Sequence, residues 1–526
     1  MKHRLLAGLA GVALAIAFTG GQAKTFKYAD QGDALSMDPM MLNESLLLNF
    51  TGNLYEPLIE RGKKLELVPG LATEWKQTAP TVWRFNLRKG VKFHDGTPFT
   101  AEDVIFSYER AKGEGSDIKS YVGSVKEIKK IDDHTIDIVT ATPFPILPQV
   151  ITQWRMMSKA WCEKNNAVKP SDVRKGVENY ASTHANGTGP FMLKSREPGV
   201  RTVLVPNPNW WGKKEHNLTE VIFTPIGNNA TRVAALISGE IDMMQPVPLQ
   251  DVARIDANPK LKVLQGPELR TIFLGMDQAR DELLFSSVKG KNPFKDVRVR
   301  RAFYQAIDIA AIQKRIMRGA SAPTGLMVAP GINGFDKALN GRYAYDPNAA
   351  KKLLSDAGYP QGFEVGMNCP NDRYVNDAEI CQAVAAMLAK IGVKVNLTAE
   401  PKATYFPKIL KRDTSFYLLG WTPGSYDSHN PLFALMATPA AEPKGQGQFN
   451  LGSYSNTRVD ELTAQISSET DPKKRQAMIS EAFKIHKEAF GHIPLHQQAL
   501  SWGMKKNVSL VQLADNFNYL RWVTIK

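Results

Sequence analysis

Cysteine is scarce, with only Cys162, Cys369 and Cys381 in 526 residues, so no more than one disulfide can form within the chain. Beyond residue 23 no apolar run reaches the ~18 residues a membrane-spanning helix needs. There is no G-x-S-x-G elbow, no H-E-x-x-H zinc helix and no G-x-x-x-x-G-K-[ST] phosphate loop. S-x-x-K occurs at Ser116–Lys119 and Ser286–Lys289, but neither is joined by S-D-N or K-T-G. These absences remove the familiar hydrolase and ATPase routes, and the expectation is a chain that is not an enzyme and carries no cofactor. Lys and Arg outnumber Asp and Glu by 66 to 52, for a net charge of +14. The surplus is spread out rather than gathered in basic runs with interleaved aromatics. A solvated basic surface is expected, and nucleic acid is not expected as a partner.

Residues 1–23 have the pattern of a secretory signal peptide. Lys2 and Arg4 precede the apolar run Leu5–Phe18, and Gly21-Gln22-Ala23 offers small residues to a signal peptidase. Their removal takes away two cations and no acid, leaving +12. No Cys lies near the cut, so a lipid anchor is not indicated, and a soluble periplasmic protein is expected. The body of the chain is too long for one hydrophobic core. Cys369 and Cys381 lie twelve apart and can meet across one loop and a helix start, although spacing alone does not fix the pairing.

One stretch organises the rest. Trp83, Phe85 and Leu87 alternate with polar residues as in a half-buried strand. His94-Asp95-Gly96 supplies a turn, and Thr100 with Asp103 forms a capping box for the helix that follows. Further on, Asp296–Arg318 reads as one long helix. Phe363–Met367, Asp377–Ile391 and Val393–Leu397 read as a strand, a helix and a strand, a βαβ unit with parallel strands. Phe416–Gly420 is another strand, running into the loop Thr422–Pro431. Ligands of open α/β sheets bind beyond the carboxyl ends of strands. The loops carrying Arg373 and Trp421–His429 leave such ends. Arg373 can grip a carboxylate with its planar fork. Asp427 can receive an ammonium group, and Tyr374, Trp421 and Tyr426 can supply flat walls with polar tips. His492 and His496 stand four apart, but Pro494 breaks the helix a metal pair would need, so no metal site is expected.

The segment GVKFHDGTPFTAEDVIFS (Gly90–Ser107), together with YEPLIE (Tyr55–Glu60), NPNWWG (Asn207–Gly212) and IPLHQ (Ile493–Gln497), resembles the peptide/nickel family, family 5, of extracellular solute-binding proteins of ABC importers. The resemblance implies a type II periplasmic-binding-protein fold of the α/β class, two lobes around a cleft plus an extra α/β domain. It implies a discontinuous lobe I (24–54, 187–275 and 496–526), an extra domain (55–186) and a lobe II (276–495), with hinge strands near Leu274 and Leu495. It further implies a monomer that closes on a peptide or other small solute and hands it to permease subunits of the inner membrane driven by separate ATPases. Peptide-binding members typically read Gly-Trp-x-x-Asp, the Asp holding the peptide's amino group. Here Gly420-Trp421-Thr422-Pro423 is followed by Gly424, and the next acid is Asp427. Tyr426-Asp427-Ser428-His429 also resembles the Tyr-Asp-x-His of a nickel-chelate binder, whose His ligates the metal. Peptide is therefore the expected solute, with a metal chelate bound through His429, or another non-peptide solute, as the alternative and an exported hydrolase as a remote one.

Overall fold

The computed structural model describes residues 24–440 and 445–526. The signal-peptide segment, residues 1–23, lies outside the described residues. Among those described, no helix is long and apolar enough to cross a membrane.

An eleven-stranded mixed sheet runs the length of the molecule. At one end lie Lys394–Glu400, Glu364–Pro370 and Phe416–Trp421; at the other lie Met243–Gln245, Thr25–Asp30, Glu220–Pro225, Arg201–Pro206 and Phe191–Glu197; the short strand Ser321–Pro323 pairs with Ile493–Lys505. Two long antiparallel strands, Leu261–Met276 and Ile493–Lys505, join the two ends and thus connect two lobes. Their pairing shifts register between Pro267 and Thr271 and again between Ile272 and Phe273. A separate four-stranded antiparallel sheet, in the order Ala72–Ala79, Val82–Leu87, Thr135–Thr140 and Val125–Asp132, forms the extra α/β unit.

The local chemistry of the stretch from Trp83 to Asp103 is realised. The Thr100 backbone N–H donates to Asp103 Oδ2 at 2.9 Å, and the helix runs Ala101–Lys112. Phe85, Phe93, Phe99 and Val104 are buried together in the core of that unit. In the second lobe, Glu364–Pro370 and Lys394–Glu400 pair in parallel across the helix Asp377–Ala389, as the βαβ reading requires. Cys369 and Cys381 form a disulfide, and Cys162 is free and buried.

One helix is shorter than its pattern suggests. The apolar period from Asp296 to Arg318 is interrupted: the helix stops at Ala306, and Ile307 is extended (φ −92°, ψ 109°). Asp308 then accepts a hydrogen bond from the Ala311 N–H at 2.9 Å and starts a new turn, because an aspartate side chain competes for backbone donors better than it propagates a helix. Near the N-terminus, helix is confined to Ser45–Thr51, and Glu44 is its cap, accepting from the Leu46 and Leu47 N–H groups at 2.9 and 3.0 Å.

Candidate functional site

Strands Glu364–Pro370 and Phe416–Trp421 are parallel neighbours, pairing Met367 with Phe416 and Asn368 with Tyr417. Their following loops therefore emerge on the same side, facing the first lobe. The loop Asn371–Asn376 is clasped by the Cys369–Cys381 bridge. Inside that loop Asp377 Oδ2 accepts from the N–H groups of Arg373 and Tyr374, both at 2.9 Å. Burial raises the Asp377 carboxyl to about 7, against the pull of these bonds.

Arg373, Tyr374, Trp421 and Tyr426 line one cavity of about 50 Å³ between the lobes. The Tyr374 ring is flanked by two guanidinium groups, Arg373 at 4.9 Å and Arg270 at 5.7 Å from its centroid. Trp421 is held by its indole N–H, which donates to Asn430 Oδ1 at 2.7 Å, and by Phe449 at 5.0 Å. The Tyr426 hydroxyl donates to Asp515 Oδ2 at 2.8 Å, with the Arg61 guanidinium 4.5 Å from its ring centre. Burial raises Asp515 to about 6.

Arg373 is already engaged. Glu44 Oε1 of the first lobe lies 2.5 Å from its Nε, and Lys402 Nζ lies 3.6 Å from Glu44 Oε2. The Arg373 contact is one of charge, since that nitrogen has no aligned hydrogen bond. Burial opposes ionisation of Glu44, but Arg373 and Lys402 outweigh it and bring its carboxyl down to about 2.

The structure does not bring Asp427 and His429 to this cavity. Asp427 is gripped at both oxygens by Arg475, at 2.7 and 2.9 Å, and also accepts from Asn333 Nδ2 at 2.7 Å and the His429 N–H at 2.8 Å. The His429 ring packs against Phe144 and Phe433, with centroids 5.7 and 5.4 Å away, and burial lowers its pKa to about 4. Gly424 is on the lining, but a Cβ there would sit 2.7 Å from Tyr121 Oη and 3.1 Å from Gln153 Cγ. An acid at this position would need both side chains to move. Among the described residues no group of three or more His, Cys, Asp or Glu is placed to hold a metal ion. His492 bonds to His486, at 2.9 Å between ring nitrogens, rather than to His496.

A second cavity of about 40 Å³ adjoins the first, the two sharing Ser45, Arg270 and Arg373. Among its polar lining residues are Asp30, Gln245, Arg270 and Ser501. Sequence reasoning passed over these four, along with Glu44 and Asp515. They lie at strand ends, in the connecting strands, beside a helix start and in a turn near the C-terminus, far apart in the chain, and no local motif marks them.

The family model described as "Bacterial extracellular solute-binding proteins, family 5 Middle" matches residues 66–442. The dipeptide-binding protein of Escherichia coli K12 is 25% identical over 519 residues, covering 94% of this chain and 91% of that protein. The heme-binding protein A of Haemophilus influenzae is 26% identical over 506 residues, covering 90% and 86%. Among solved structures, the periplasmic binding protein DppA from Helicobacter pylori, in complex with the peptide STSA, superposes with a TM-score of 0.85 at 25% identity, covering 96% of this chain and 98% of that one.

Proposed function

The chain belongs to family 5 of the bacterial extracellular solute-binding proteins, and on that premise we propose that it captures short peptides in the cleft between its lobes and delivers them to an ABC permease. The observation that carries this reading is the cavity walled by Tyr374, Trp421 and Tyr426 with the Arg373 guanidinium at its edge, formed by elements of both lobes. Flat amphipathic walls suit side chains, and a planar cation suits a carboxylate. Relatives described as dipeptide-binding and as bound to a peptide support the same solute class.

In this reading lobe I comprises 24–54, 187–275 and 496–526, the extra domain 55–186 and lobe II 276–495. The protein is exported through its signal segment, works in the periplasm as a monomer, and shifts from open to closed when solute contacts both lobes. Arg373 leaves Glu44 for the solute carboxylate. The chelate alternative is less well supported, since His429 is enclosed by Phe144 and Phe433.

Native mass spectrometry of the protein purified from a periplasmic fraction, with metal analysis of the same sample, tests the reading. A ladder of di- to pentapeptide masses is expected. A single non-peptide mass, or stoichiometric metal, would overturn it.

A further inference from the structure

Four residues lining the second cavity carry a buried polar atom without a hydrogen-bond partner, and one of these, Arg373 Nε, faces Glu44 as a charge contact, which leaves three. Gln245, Arg270 and Ser501 are 3%, 1% and 1% exposed, and Gln245 Oε1, Arg270 Nη2 and Ser501 Oγ make no hydrogen bond. All three residues line this one space. Buried polar groups are costly when unpaired, so three in one cavity point to a solute group that completes them.

Their orientation is fixed by what each already holds. Gln245 Nε2 donates to Asp30 Oδ2 at 2.9 Å, which leaves the amide oxygen turned away from Asp30. The reverse amide orientation would oppose two acceptors. Arg270 Nε donates to Glu268 Oε1 at 2.9 Å, so its charge is balanced while Nη2 remains free. The cavity thus offers one acceptor, one charge-assisted donor and one hydroxyl that can serve as either.

Two acids, Asp30 and Asp372, and two guanidinium groups, Arg270 and Arg373, line the cavity, so its walls favour neither sign of charge. An aliphatic group would leave all three atoms unpaired. A neutral group with a donor and an acceptor side by side satisfies them. The cavity's 40 Å³ allows about three water-sized atoms, at roughly 10–15 Å³ each. A carboxamide has three heavy atoms.

We propose that this cavity is a second subsite of the cleft and that it selects a side-chain carboxamide of the solute, whose oxygen accepts from Arg270 Nη2, whose nitrogen donates to Gln245 Oε1, and which Ser501 Oγ also contacts. The inference rests on the peptide reading above and adds to it a preferred class: peptides that carry glutamine or asparagine.

Titration calorimetry of the purified protein with Phe-Gln, Gln-Phe, Phe-Leu, Leu-Phe, Phe-Glu and Glu-Phe tests it. In one residue order the glutamine peptide should bind at least about tenfold more tightly than its Leu and Glu counterparts, because a site built to hydrogen-bond rejects groups that leave it unpaired. Gln245→Leu should abolish that preference; where this variant does not fold, Ser501→Ala should reduce it. Equal affinities for Gln and Leu peptides in both orders, or a preference unchanged in the variants, would overturn the subsite and leave the peptide reading standing. Absence of binding by all six would overturn this inference, and, with no peptide masses in the native mass spectrum, the peptide reading as well.

Discussion

Glu44 of the first lobe and Arg373 of the second approach to 2.5 Å across the cleft, with side chains only 2% and 8% exposed. The carboxylate thereby occupies one edge of the cation proposed to receive the solute. Removing one partner of a buried pair leaves the other charge stranded, which costs about 3–5 kcal/mol. Glu44→Gln is expected to lower the melting temperature and to shift small-angle scattering of the solute-free protein toward a wider shape. The stabilisation is present above the ordinary carboxyl pKa of 4.5 and is lost as pH falls toward about 2. An acid titration in which wild type and variant lose stability in parallel between those values would show that the pair does not hold the lobes.

Asp427 is expected to act on stability, through Arg475, rather than on solute. Its two oxygens and the two Arg475 nitrogens are 2.7 and 2.9 Å apart and buried. Asp427→Asn should cost about 3 kcal/mol or more in denaturant unfolding. Dipeptide affinity, measured below the transition, should change less than twofold. A tenfold loss of affinity with unchanged stability would return Asp427 to the role of ammonium receiver.

Asp515 should respond to pH in the opposite sense to Glu44. Burial raises its carboxyl from 3.8 to about 6, so the folded state prefers it protonated. That preference favours folding fully below pH 3.8 and is lost as pH rises through about 6. At pH 7.5 the charged form therefore weighs against the fold, by up to about 3 kcal/mol at 1.36 kcal/mol per pKa unit. Asp515→Asn is expected to equal or exceed wild type in stability at pH 7.5, with the difference shrinking by pH 5. A variant that is less stable at pH 7.5 than at pH 5, relative to wild type, would contradict this.

Gly424 stands where peptide binders of the resembled pattern carry an acid, and the obstacle to a side chain is Tyr121 Oη, 2.7 Å from the position of a Cβ. Gly424→Ala should destabilise by about 1–3 kcal/mol, as overpacking does. Adding Tyr121→Phe should recover part of that loss. If thermal melts show no recovery, the crowding comes from Gln153 instead.

Much of this architecture is legible in local sequence, and the reason is physical. Thr100 and Asp103 satisfy each other three residues apart, and Asp346 caps the Pro347–Asp356 helix at similar range, with its Oδ1 2.8 Å from the Ala349 N–H. Such interactions need no knowledge of the rest of the chain. The loops bearing Arg373 and Trp421 are legible one step further, because the βαβ unit fixes which strand ends they leave. The pairing of Glu44 with Arg373 is not legible, since 329 positions and a cleft separate them. Nor is the capture of Asp427 by Arg475, 48 residues away on a later helix. The expected helix from Asp296 to Arg318 fails at Ile307 for a reason that is local, the capping preference of Asp308, overridden in the reading by apolar periodicity.

The connecting strand Leu261–Met276 loses register with its partner between Pro267 and Thr271, and Glu268 and Arg270 lie within that irregularity. A bulge is where a strand bends and twists most easily. In the proposed closing motion, a turn at this point would carry the Arg270 guanidinium, which lines both cavities, along with it. A substitution that stiffens or loosens the bulge is therefore expected to change affinity without touching the solute.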